Sequence, residues 1–114
     1  MIRGMARGDT KDVTLKCDKG ESKTVFTIGT LTKAQQFEFV EKMRNGNGQA
    51  HSILVVRAAL KAVTNYPLNG VSDHVLSTDE KRDEIVESLP LEAVAELLGE
   101  IIEFNMLGGD ERKN

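Results

Sequence analysis

Glu92, Glu96, Glu100 and Glu103 recur at steps of four and three in one stretch of the sequence. A helix there would carry them as a single acidic line. Neighbouring carboxylates do acid–base chemistry when a cleft splits their environments and separates their pKa values. Here no basic residue stands between them, and apolar residues occupy the other side of the same helix. The expectation is a solvated face, with docking of a basic partner as its functional use. The histidines are His51 and His74. Neither lies at a metal-ligand spacing, and both read as solvent-facing or turn residues. Cys17 is the single cysteine, which excludes an intramolecular disulfide and a four-cysteine zinc site. A Cys–His nucleophile pair would need Cys17 beside a histidine, and no local motif places it there. Gly46-Asn47-Gly48 resembles part of a phosphate-binding loop, but the lysine-plus-hydroxyl ending is missing and a helix precedes it. The residues therefore point to no catalytic set, no cofactor site and no metal site. The candidate contact residues are Glu92, Glu96, Glu100 and Glu103, together with Tyr66, Leu68 and the N-terminal arm.

The totals narrow the function classes. A chain of 114 residues fits one domain with one modest core. With 15 Lys+Arg against 18 Asp+Glu, the net charge is −3, which argues against specific nucleic-acid binding. Aromatics make up 4% with no tryptophan, so a base-stacking platform is not expected. No apolar run approaches the roughly 20 residues that span a bilayer. The opening MIRGMARGDTKD has arginines but no apolar segment after them, so a secretory signal is not expected. A cytoplasmic origin follows as the expectation. Arg3, Arg7, Lys11, Lys16, Lys19 and Lys23 make the first third basic, whereas the last third is acidic. Ordinary surface charge accounts for this. A head-to-tail contact between copies is the sharper alternative.

These residues must be positioned by a small set of elements. Residues 1–12 read as a flexible arm. Val13, Leu15 and Cys17 alternate with polar residues and predict a strand, which a Gly-containing turn joins to a second strand over Lys23–Ile28. Thr32 and Gln35 form a capping-box signature for a helix over Lys33–Arg44. Its expected seam is Ala34, Phe37, Val40 and Met43, flanked by Phe39. Gly29 is the expected pivot between strand and helix. A second helix is predicted over His51–Asn65 from Ile53, Val56, Leu60 and Val63, and Pro67 ends it. Residues 66–77 read as a loop with at most a short extended piece. Ser77 and Glu80 suggest a cap for a helix over Asp79–Ser88. A final helix starts at Pro90 and runs to Met106, with Leu91, Val94, Leu98 and Ile101 as its seam. The expected fold is α+β, a β-hairpin packed on three to four helices. Residues 13–108 form the domain and 109–114 a charged tail.

Taken together, "MIRGMAR", "KTVFTIGTLT", "VVRAALKAVTNYPLNG" and "SLPLEAVAELLGEIIEFNML" resemble a group of small tailed-bacteriophage proteins from virion-assembly gene clusters. The residues that carry the likeness are Thr24 to Phe26, Gly29, Leu31, Arg57, Leu60, Asn65, Tyr66, Leu89, Pro90, Glu96, Leu97, Glu100, Ile101 and Asn105. The chain departs from that pattern at Ala62-Val63, where a glycine and a large aromatic are expected. The resemblance implies a non-enzymatic structural or assembly protein: a head–tail connector component, a minor virion protein or a tail assembly chaperone. Other phage structural proteins, and further copies of the chain, would be its partners. A small phage-encoded inhibitor of a host enzyme or defence complex is the alternative from a different class.

Overall fold

The computed structural model describes residues 8–107. Residues 1–7 of the expected arm and the charged tail at 109–114 lie outside the described residues. Within them the fold is α+β. Strands β1 (Thr10–Val13), β2 (Val25–Gly29), β3 (Leu60–Thr64) and β4 (His74–Val75) form one antiparallel sheet in chain order. Helices α1 (Lys33–Arg44) and α2 (Gly48–Ala59) are inserted between β2 and β3, while α3 (Asp79–Ser88) and α4 (Leu91–Ile102) follow the sheet. A π-helical turn over Glu103–Leu107 extends α4.

Register decides which face of the sheet is covered. Lys11 pairs with Ile28 and Val13 with Phe26; Ile28 in turn pairs with Leu60, and Phe26 with Val63. Directly opposed residues share a face, so Ile28, Leu60, Phe26 and Val63 project together. All four are buried, and α2 and α4 supply Val56, Ala59, Leu97 and Ile101 to the same core. The other face carries Asp12, Thr27, Ala62 and Val75. There the Thr27 hydroxyl donates to Asp12 at 2.7 Å, and Val75 is exposed. One packed face and one wet face is the ordinary antiparallel arrangement.

Several expectations are corrected here. The first strand is Thr10–Val13 rather than Val13–Cys17, so residues 14–24 form a long connection. Asp18 closes that connection by accepting from Gly20 N at 3.1 Å and Thr24 N at 2.8 Å. The second helix stops at Ala59, and Leu60–Thr64 is a strand. Its pairing shifts between Thr27 and Ile28, which leaves Lys61 as the extra residue of a bulge. The bulge lets Leu60 and Val63 both face inward although they stand three positions apart, a spacing that imitates a helix. Gly29 is no conformational pivot, because positive φ among the described glycines occurs only at Gly8, Gly46 and Gly70. A Cβ at Gly29 would lie 2.6 Å from Lys61 Cε, so a larger residue would require that flexible side chain to move.

The expected α1 seam also faces the wrong way. Phe37 is 74% exposed, Met43 55% and Val40 40%, whereas Phe39 is buried. Steps of three residues fall about 60° short of a full turn each time. Ala34, Phe37, Val40 and Met43 thus wrap around the helix and cannot share one buried line. On α3 the cap is Thr78, not Ser77, and its side chain accepts from Lys81 N at 3.2 Å. On α4, Leu91 is exposed and Leu98 half-buried, while Ala93, Val94, Leu97 and Ile101 make the buried face.

Candidate functional site

The acidic line of α4 forms as a line, but its members have different tasks. Glu92 and Glu103 are exposed. Glu96 grips the β1–β2 connection, accepting from Lys16 N at 2.7 Å and from Cys17 N at 2.9 Å. The Cys17 thiol also donates to this carboxylate, and that bond holds Glu96 below the ordinary carboxylate range, helped by the Lys16 and Cys17 amides. The same bond, with burial, raises the Cys17 thiol, so the sulfur stays protonated and is a poor nucleophile. Glu100 reaches Lys11 on β1 at 3.7 Å. One basic residue of the first third thus pairs with one acidic residue of the last third inside the molecule.

Tyr66 and Leu68 are likewise engaged internally. Ser88 Oγ donates to the Ile85 carbonyl at 2.6 Å, which leaves it to accept from the Tyr66 hydroxyl at 2.8 Å. This pins the loop after β3 to the end of α3. His74 Nε2 donates to the Tyr66 carbonyl at 2.9 Å, and the two rings meet edge to face. Leu68 packs half-buried against the core and bridges to Val71 across a tight turn in which Asn69 and Gly70 both have positive φ.

His51 is not solvent-facing. Its side chain is 10% exposed and lies 3.9 Å from Glu38, with its ring stacked on Phe39. It lines an open cleft of about 340 Å³ between α1 and α2, together with Gln35, Glu38, Lys42, Leu54 and Arg57. A histidine beside a carboxylate has the residue types of a general base, which can act on a water or a substrate group as well as on a protein nucleophile. No hydroxyl or thiol side chain is among the residues lining the cleft. Arg57 is turned to Asp83 on α3 at 3.2 Å. Among the described residues no three His, Cys, Asp or Glu side chains gather as a metal site, and no helix is long and apolar enough to cross a membrane.

Two features escaped the sequence reading. One is Asn105, whose buried amide accepts from Leu31 N at 2.7 Å and donates to Gly29 O at 3.1 Å and Ile101 O at 3.0 Å. It clasps the β2–α1 junction to the π-helical turn. Asn105 was visible only as part of a resemblance, since two of its three partners lie more than seventy residues away. The other is the outer face of α1. Lys33, Ala34, Phe37, Val40, Glu41 and Arg44 are all exposed and fall within about 120° of the helix circumference. Comparison with family models, curated proteins and solved structures finds no match. The assignment of function thus rests on surface chemistry. The apolar centre of that face is Phe37, 74% exposed, with Val40 beside it, on a helix that the Thr32 capping box and the buried Phe39 fix in place.

Proposed function

We propose that this chain is a non-enzymatic structural or assembly protein of the tailed-bacteriophage type, acting through protein–protein contact during virion morphogenesis. The observation that carries the reading is the outer face of α1. A phenylalanine 74% exposed, on a helix anchored at its N-terminus by a complete capping box, offers apolar area whose burial contributes about 1.5–3 kcal/mol per large side chain. Aromatic anchors of this kind dominate contact energies. The resemblance of the four sequence segments to phage virion-assembly proteins supplies the biological setting. Glu92 on α4 and Glu103 at the start of the π-helical turn, both exposed, supply charge that selects and steers a partner.

The test is genetic and biochemical together. Deleting the gene in the phage that encodes it is expected to stall particles at a defined head or tail stage, and Phe37→Asp is expected to reproduce the stall with the fold intact. Normal particle yield from both variants would overturn the assembly role. Recovery of the wild-type chain in a stoichiometric complex with one host enzyme, lost in Phe37→Asp, would favour the inhibitor reading instead.

A further inference from the structure

We propose that the outer face of α1 pairs with the same face of a second copy, antiparallel, about a two-fold axis through Phe37. This rests on the reading of that face as a contact surface and names its occupant. Under such symmetry, residue 37+k of one copy faces residue 37−k of the other. Lys33 and Glu41 each lie four residues from Phe37, about 6 Å along the helix. Lys33 of each copy therefore faces Glu41 of the other, giving two opposite-charge pairs flanking a Phe37–Phe37 contact. Ala34 faces Val40 by the same rule, small against large, which lets the helices approach. The Glu41 carboxylate has no partner among the described residues, and Lys33 gives up only a long 3.4 Å bond to Gln36 Oε1. A parallel two-fold pairing would oppose Lys33 to Lys33 and Glu41 to Glu41, and is disfavoured on charge. An isologous contact closes at two copies. A heterologous contact, such as Phe37 entering the apolar groove lined by Ile53, Leu89 and Leu91, would propagate into open chains.

Sedimentation velocity over a concentration series tests this on the full chain. The expected result is a reversible monomer–dimer equilibrium. Lys33→Glu and Glu41→Lys should each weaken it by about tenfold, since each turns both pairs repulsive. The double variant, which restores opposite charges, should recover it. Circular dichroism melts of each variant check that these exposed substitutions leave the fold intact. A monomer up to millimolar concentration, growth into open polymers, or a dimer indifferent to both charge reversals would each overturn the proposal. None of those outcomes touches the assembly role, because α1 would remain available to a different phage protein. A charge-sensitive dimer in a chain dispensable for particle assembly would uphold the pairing and overturn the role.

Discussion

Glu96 and Glu100 sit one helical turn apart on α4, yet their substitutions should behave differently. Glu96→Gln replaces a carboxylate that receives three donors, from Lys16 N, Cys17 N and the Cys17 thiol, with an amide that has one oxygen to offer. Glu100→Gln removes a half-exposed ion pair, worth about 0–1 kcal/mol. In thermal melts the first should lower Tm clearly and the second hardly at all. Acid gives the same contrast. The folded pKa of Glu96 is depressed, so its stabilisation is present above the ordinary carboxylate range and is lost as pH falls through the folded value. An NMR titration of the Glu96 carboxyl should show a midpoint below that range, with the amides of Lys16 and Cys17 shifting alongside. Asn105 is the other residue with several obligations. Asn105→Ala leaves Leu31 N, Gly29 O and Ile101 O without its amide in a buried place, and should cost about 3 kcal/mol or more in urea denaturation.

At the scale of elements, α1 is held by its ends. Thr32 and Gln35 form both bonds of the capping box. At the other end Gly46 N reaches Met43 O at 3.3 Å and Asn47 N reaches Lys42 O at 2.8 Å, a Schellman closure that needs the positive φ of Gly46. Thr32→Ala should cost about 1 kcal/mol and Gly46→Ala about 1–2 kcal/mol. The two sites lie far enough apart for the losses to add, and a double variant read by chemical denaturation checks it. Both helix ends were legible in the sequence because capping is local, with every partner a few residues away. The bounds of α3 were legible too, although its cap is Thr78 and not the expected Ser77. Strand β3 was not legible. Its alanine and its three-residue spacing matched a helix, and only pairing with β2 reveals the bulge at Lys61 that restores a strand. The outward turn of α1 was hidden for a related reason: Phe37 and Phe39 are both apolar, and which one goes inside depends on where α2 lies.

For the whole molecule, one core joins the sheet to α2 and α4. Leu60 and Leu97 are both fully buried, one from the sheet and one from the last helix. Leu60→Ala and Leu97→Ala should each cost about 2–5 kcal/mol. For a domain stable by about 5–15 kcal/mol that loss is a large share of the total, and thermal unfolding should show Tm falling by many degrees in both. Leu98→Ala, at a half-buried position, should cost less than Leu97→Ala. Fold class was readable from patterning, whereas the exposed apolar face proposed as a contact surface was not. The acidic line stood out because four like residues are conspicuous in a sequence. The apolar face of α1 is made of the residue types that ordinarily fill a core.

The Asn105 clasp sets an order of events during synthesis. Leu31 precedes its partner by 74 residues, and at about 5–20 residues per second the ribosome takes roughly 4–15 s to add them. Through that interval the β2–α1 junction must borrow hydrogen bonds from water, and the nascent hairpin lacks the last helix that covers it. Closure of the fold is therefore a late, long-range step rather than a gradual one. Chains halted before residue 105 should remain open to proteases at residues 29–31, while completed chains become resistant there.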